Sequence, residues 1–79
     1  MIKLNILNLE RFLETVNRCT GRVLLLRPDG EKTDINKQYD VQRELWNEYR
    51  ERAGYLPLTL KIENPSDYMR IVSCYVGDC

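Results

Sequence analysis

The stretch YLPLTLKI, residues 55–62, decides how this chain folds. Its leucines and isoleucine alternate with tyrosine, proline, threonine and lysine. Because successive side chains on a strand point to opposite faces, this period of two predicts a strand with one buried face. Pro57 has no backbone N–H, so the strand must lie at a sheet edge, contain a bulge, or hold Pro57 at the very start of its ladder.

Helical patterns lie on both sides of this strand. Before it, Asp40 can cap a helix over residues 40–53, and Gly54 can stop that helix. After it, Asn64 can cap a third helix over residues 65–76. Apolar side chains recur at helical spacing in both segments, which predicts that each helix buries one side.

The first half of the chain predicts one more strand and one more helix before a hairpin. Residues 1–7 alternate between apolar and polar side chains and predict strand one. Asn8 can cap the helix that follows, which runs from Leu9 to Cys19 or Thr20. Gly21 can take the left-handed conformation that ends this helix.

A hairpin completes the predicted sheet. Residues 22–27, RVLLLR, are too few for a helix and predict strand two. Pro28 and Gly30 supply the turn, because proline presets its own φ and glycine adopts a positive φ without strain. Residues 31–35 then form a short polar strand, as is typical of a protected sheet edge.

The element order is therefore βαββαβα, in a single domain over residues 1–79. We expect an α+β, two-layer open-faced sandwich in which a four-stranded antiparallel sheet carries three helices on one face. The alternative is the ferredoxin-like split βαβ, which would use only the first six elements.

Several local matches accompany this order. They are Phe12-Leu13 in helix one, the Asp29-Gly30 hairpin, Asn36-Lys37-Gln38 before helix two, and Gly54 followed by Leu58-Thr59-Leu60. In these features the chain resembles, over essentially its whole length, HPr, the phosphocarrier of the bacterial sugar phosphotransferase system. The resemblance implies an HPr-like fold and a protein-docking ancestry.

The functional motifs of that family are missing. HPr proteins carry Gly-x-His-Ala-Arg between strand one and helix one, and the histidine carries phosphate. Its place falls near Asn5, in a degenerate loop that ends at Asn8, and this chain has no histidine. Gln38 stands where the family has a regulatory serine. We therefore expect no phosphocarrier activity and transfer no functional residue.

Catalytic, cofactor and metal sites are not expected. Glu44, Glu48 and Glu51 fall on the predicted outer side of helix two, where solvated charges are typical and an acid–base pair would need a cleft. The serines have no histidine to activate them as nucleophiles. The sequence has no glycine-rich loop that could bind phosphate. Three cysteines without histidine do not supply the usual close pairs of zinc ligands. We expect a protein that is not an enzyme.

Nucleic acid and membrane partners are also disfavoured. Twelve basic residues balance twelve acidic ones, so the chain lacks the basic surplus of a strong nucleic-acid binder. The arginines of helix two are interleaved with acids, and strand two has no aromatic residue for stacking bases. The apolar runs are too short to span a bilayer. A small nucleic-acid- or ligand-binding domain on a ferredoxin-like scaffold is the alternative function.

The cysteines predict a reducing compartment. Cys19, Cys74 and Cys79 are odd in number and form no C-x-x-C motif, and we recognise no signal peptide. We therefore expect a cytoplasmic protein in which Cys19 and Cys74 are core residues, and the resemblance to HPr implies a bacterial-type protein. The alternative is a Cys74–Cys79 bridge or a redox pair.

The second face of the sheet carries the main functional hypothesis. Strand two is apolar on both sides, whereas a sheet face open to water should be polar. Extra apolar area on an open face is typical of an interaction surface, although long side chains such as Lys61 could cover it. We expect a protein-interaction or regulatory module, with a weak homodimer as a further expectation. The predicted patch consists of Leu7, Leu24, Leu26, Tyr55 and Thr59.

Overall fold

A computed structural model describes residues 1–77 of the chain. Its elements are β1 (Ile2–Ile6), α1 (Leu9–Asn17), β2 (Val23–Leu26), β3 (Lys32–Asp34), α2 (Tyr39–Glu51), β4 (Leu56–Ile62) and α3 (Pro65–Gly77). The predicted order βαββαβα and the α+β class are confirmed. None of the helices within these residues is long and apolar enough to cross a membrane.

The four strands form one antiparallel sheet in the order β1-β4-β2-β3. Strand β4 is therefore central, with Leu58 opposite Leu4 on β1 and Leu60 opposite Leu25 on β2. The pairing with β2 runs only from Ile62 to Leu60. Pro57 lies beyond this ladder. Because β2 is not paired with β4 at that position, the missing N–H of Pro57 leaves no hydrogen bond to β2 unmade, and the central strand tolerates the proline.

One face of the sheet packs against the helices. The alternation predicted for residues 55–62 is confirmed, because Leu56, Leu58 and Leu60 are buried. The strands contribute Leu4, Ile6, Val23, Leu25, Leu56, Leu58 and Leu60 to the core, and the helices contribute Leu9, Phe12, Leu13, Val16, Leu45 and Ile71. All three helices thus share one core with the sheet, which is compatible with the predicted two-layer sandwich.

Two of the predicted helix caps are confirmed. Asn8 Oδ1 accepts a hydrogen bond from the backbone N–H of Arg11 at 3.1 Å. Asn64 Oδ1 accepts from the N–H groups of Ser66 at 2.8 Å and Asp67 at 3.2 Å. These bonds satisfy backbone donors that the first turn of a helix leaves without partners.

The predicted cap of the second helix is wrong. Helix α2 begins at Tyr39, before Asp40, and its N-cap Gln38 makes no side-chain capping bond. Asp40 instead lies in the first turn, where a negative charge is favourable beside the unpaired N–H groups.

The end of α2 also differs from expectation. Ala53 adopts the left-handed conformation with φ 61°, one residue before Gly54 with φ 100°. The Gly54 N–H donates to the Tyr49 carbonyl at 3.0 Å and the Ala53 N–H donates to Arg50 at 3.1 Å. This is the hydrogen-bond pattern of a Schellman motif, with alanine at the position that usually holds glycine.

Gly21 does not end α1 in the predicted way. The helix ends at Asn17, and Gly21 is not among the described glycines with positive φ. Its small size has another use: a Cβ atom there would lie 3.3 Å from Asn64 Cβ and from Asp67 Oδ2. Gly21 therefore permits a close approach between the segment after α1 and the start of α3.

The cysteine predictions are confirmed in part. Cys19 is buried in the core, and Cys74 is half-buried and packs against it. Cys79 lies outside the described residues, so the alternative of a Cys74–Cys79 bridge stays a prediction.

Candidate interaction site

The outer face of the sheet, opposite the helices, combines leucines with lysines. Leu24 lies opposite Lys61 on β4 and opposite Asp34 on β3. Leu26 lies opposite Lys32. Since Leu24 and Leu26 alternate with the buried Val23 and Leu25, they and the residues opposite them point away from the core. Both leucines are half-buried, so the face is amphipathic rather than uniformly apolar.

The five residues of the predicted patch fall into two groups. Leu24, Leu26 and Thr59 are half-buried on β2 and β4, and Leu26 and Thr59 line a common cleft. Leu7 and Tyr55 directly follow and precede the last β1–β4 pair, and they are 61% and 43% exposed. The structure therefore spreads the patch from the middle of the sheet to the end of β1.

A cleft of about 460 Å³ opens where β2 and β4 separate, and Leu26, Pro57 and Thr59 contribute to its wall. The register explains this separation. Leu24 pairs with Lys61 and Leu25 with Leu60, so continuing the ladder would set Pro28 opposite Pro57. Neither proline has a backbone N–H, so a pair of Pro28 and Pro57 could form no N–H···O hydrogen bond between the two strands.

Charged side chains from α2 close one side of this cleft. Glu48 and Arg52 line it together with Arg27 at the end of β2. Arg27 Nη2 lies 3.7 Å from Glu44 Oε2, which ties the hairpin to α2. The Arg52 guanidinium lies 5.9 Å from the centroid of the Tyr55 ring, within the range of a cation–π contact.

The outer face has a positive balance. Lys3, Lys32 and Lys61 lie on it at exposed positions. Among the paired strand residues of this face, Asp34 is the one carboxylate, and it is half-buried. Its Oδ1 accepts hydrogen bonds from the backbone N–H groups of Val23 at 3.3 Å and Asn36 at 3.0 Å. The lysines therefore dominate the charge that a partner would meet on this face.

The residues at the degenerate HPr positions have structural roles. The Asn5 N–H donates to the Tyr75 hydroxyl at 3.3 Å, so α3 covers part of the free edge of β1. The side-chain oxygen of Asn8 caps the start of α1 by accepting a hydrogen bond from the Arg11 N–H. Gln38 is exposed and precedes α2. The structure gives none of these three positions a reactive group.

A stripe on α2 was missed by the sequence analysis. Tyr39, Arg43, Trp46 and Arg50 follow one another at intervals of four, three and four residues. At 3.6 residues per turn they fall within about 60° of arc on the helix. Acids do alternate with the arginines in sequence, but spacing along the helix, not neighbourhood in sequence, decides which side chains share a face. We call these four residues the α2 stripe.

Asp67 is a second residue whose role was missed. This residue is 1% exposed. It accepts backbone hydrogen bonds from Gly21 at 2.8 Å and from Thr20 at 3.1 Å. Burial raises the pKa of the Asp67 carboxyl, but these hydrogen bonds and the nearby charge of Arg70 outweigh burial and hold the pKa below its ordinary value.

Cys19 lies close to this carboxylate. Burial and the charge of Asp67 raise the pKa of the Cys19 thiol to about 11. A thiol with such a pKa is protonated at neutral pH and is a poor nucleophile. Cys19 is therefore a core residue without reactive chemistry.

Comparison with known proteins does not assign the chain to a family. No family model, no curated protein and no solved structure matches it. Within residues 1–77, no group of three or more histidine, cysteine, aspartate or glutamate side chains is arranged to hold a metal ion.

Proposed function

We propose that this protein is a non-catalytic, HPr-like interaction module that binds an acidic protein surface through the outer face of its sheet. The observation that carries the proposal is the composition of that face. Leu24 and Leu26 supply apolar area, and Lys3, Lys32 and Lys61 surround it with positive charge. An apolar centre with a charged rim is typical of protein interfaces.

The HPr-like part of the proposal is supported by the third helix. A ferredoxin-like arrangement uses only six elements. Here α3 is a helix of 13 residues that buries Ile71 in the common core, so it belongs to the fold itself. With no histidine in the chain, an HPr-like domain would keep the docking role of the family without its phosphate transfer.

An acidic partner fits this face better than a second copy of the chain. In a two-fold symmetric dimer the same patch meets itself, so lysines of one copy would lie near lysines of the other. Like charges brought together at an interface cost free energy, whereas carboxylates of a partner would gain it. Self-association through this face is therefore expected to be weak.

A matched pair of variants tests the proposal. The double change Leu24→Glu and Leu26→Glu puts two charges on the outer face. The control, Met69→Glu and Val76→Glu, changes two exposed apolar residues of α3, which are 60% and 79% exposed. A protein captured from a bacterial lysate is purified, and its affinity for each form is measured by calorimetry at two salt concentrations.

We expect the sheet variant to bind at least about tenfold more weakly and the α3 control to bind as the native chain does. Binding should also weaken as salt rises, because lysines contact acidic groups. Undiminished binding by a correctly folded sheet variant, or binding that does not respond to salt, would overturn the proposal.

A further inference from the structure

A second surface lies on α2, away from the outer face of the sheet. It is formed by the α2 stripe, in which Tyr39 is 66% exposed, Arg43 and Arg50 are exposed and Trp46 is half-buried. A depression of about 300 Å³ lies among these side chains, and Gln42 and Asn47 complete its lining. A depression of this size can receive a side chain of a partner.

Among residues 1–77, no carboxylate lines this depression. The acids of α2 are Asp40, Glu44, Glu48 and Glu51. At 100° per residue, all four lie at least about 90° around the helix from the centre of the stripe. Glu44 is paired with Arg27, and Glu48 lines the cleft beside β4. Asp40 lies closest, three residues before Arg43, but in the part of the chain that the structure describes neither Arg43 nor Arg50 forms an ion pair within 4.0 Å.

The aromatic part of the stripe is held in place before any partner binds. Trp46 packs against the core and meets Tyr49 edge to face, with ring centroids 5.6 Å apart and an interplanar angle of 87°. The Tyr49 hydroxyl donates to the Leu7 carbonyl at 2.7 Å. Arg50 lies 5.7 Å from the centroid of the Trp46 ring. Side chains that are already ordered lose less entropy on binding.

Tryptophan, tyrosine and arginine are the residue types that dominate binding energy in protein interfaces. Arg43 and Arg50 are seven residues apart, which is about 10.5 Å along the helix axis. A second helix lying along α2 has the same rise, so carboxylates at its positions i and i+7 would reach both arginines. An apolar side chain between them, at i+3 or i+4, would lie over the depression beside Trp46.

We propose that the α2 stripe binds an acidic amphipathic helix of another protein, with carboxylates seven residues apart on either side of an apolar side chain. This binding is independent of the sheet face, so the domain can hold two partners at once. The proposal does not rest on the proposed function, since the two surfaces share no residue.

The test uses a defined probe and the natural reporter Trp46, which is the single tryptophan of the chain. The probe is an alanine-based helical peptide without tryptophan, with glutamate at every seventh position and leucine between. Its binding is followed by Trp46 fluorescence and by the backbone amide shifts of the labelled protein. A second peptide with lysine in place of each glutamate reports the requirement for negative charge.

We expect the glutamate peptide to change the fluorescence and to shift amides along α2, and the lysine peptide to do neither. The change Arg43→Glu with Arg50→Glu should weaken binding at least about tenfold. The charge-matched control Arg18→Glu with Arg22→Glu, at two exposed positions outside both surfaces, should bind as the native chain does. Replacement of both arginines by lysine should recover part of the affinity, because lysine keeps the charge but not the planar guanidinium.

Three results would overturn the inference. One is the absence of any response up to about 1 mM peptide in low salt, a concentration that detects even weak complexes. Another is equal binding by the native chain and the arginine reversal variant. The third is a Trp46 response to single-stranded poly(U) without a response to the glutamate peptide, which would assign the stripe to nucleic acid.

Discussion

The carboxylate of Asp67, in the first turn of α3, accepts a 2.8 Å hydrogen bond from the backbone N–H of Gly21. The neighbouring N–H of Thr20 donates to the same carboxylate at 3.1 Å. Asp67 and Gly21 are 46 positions apart in sequence, so their hydrogen bond connects the segment before β2 to the last helix. The stability of the domain should depend on it.

We expect Asp67→Asn to lower the free energy of unfolding by about 1–3 kcal/mol. The amide keeps the shape of the side chain but loses the charge that strengthens both hydrogen bonds. Urea denaturation followed by circular dichroism measures the change. The control Asp40→Asn, at an exposed first-turn position of α2, should cost less than about 1 kcal/mol. Equal effects of the two changes would show that Asp67 contributes only as a first-turn charge.

The contribution of Asp67 should vanish in acid. Its pKa in the folded protein lies below the ordinary value of 3.8, so the unfolded chain binds the proton more tightly. The stabilisation is therefore complete above the unfolded pKa and is lost as pH falls through the folded one. Urea titrations at several pH values should show the native chain and Asp67→Asn converging below about pH 3.8. A constant difference down to pH 2 would contradict this account.

Ala53→Gly should stabilise the protein by about 0.5–1 kcal/mol. Ala53 is exposed and has φ 61°, a conformation that strains a residue with a Cβ atom and that glycine adopts freely. No packing is lost when the methyl group is removed from an exposed position. Thermal and urea unfolding measure the gain. The control Ala53→Ser keeps a Cβ atom, so a similar gain from serine would rule out the backbone explanation.

Sedimentation at several concentrations should show a monomer at about 0.1 mM in low salt. The lysines of the outer face repel one another across a symmetric contact, so self-association should strengthen when salt screens them. The double change Leu24→Glu and Leu26→Glu should abolish any dimer that forms at high salt. A dimer that is stable in low salt, and that these glutamates abolish, would make a second copy the occupant of the sheet face.

Incubation with the phosphotransferase enzyme and phosphoenolpyruvate should leave the protein without an acid-labile phosphate label. The chain has no histidine, and the place of the family's phosphoacceptor falls near Asn5. An authentic HPr, incubated in parallel, serves as the positive control. Introduction of histidine by Asn5→His tests whether the loop keeps a docking geometry, since phosphorylation of that variant would support the HPr kinship.

The sequence predicted the elements well where the signal is local. The alternation in β4 and the caps Asn8 and Asn64 are short-range patterns, and each is confirmed. It failed at Gly21 and Asp40, where the residue type fits a local rule that the fold does not use. Gly21 instead permits a close approach to α3, and α2 begins at Tyr39 without a side-chain cap.

The candidate surfaces were predictable to different extents. Leu24 and Leu26 were predicted for the outer face, but a strand that is apolar on both sides does not show which side is buried, and the structure decides this by burying Val23 and Leu25. The α2 stripe could have been found from its 4-3-4 spacing, but reading charges by neighbourhood in sequence concealed it. The cleft could not have been found, because it depends on the register that would bring Pro28 opposite Pro57.

By itself the sequence determined the element order, the buried faces of β1 and β4 and the absence of histidine chemistry. These follow from periodicity, capping and composition, which act over a few residues. Only the tertiary structure decided that Asp67 accepts a hydrogen bond from Gly21, that β4 lies at the centre of the sheet and that the β2–β4 ladder stops at Leu60, short of Pro57. Contacts between residues far apart in sequence arise from the packing of whole elements, and no local pattern specifies them.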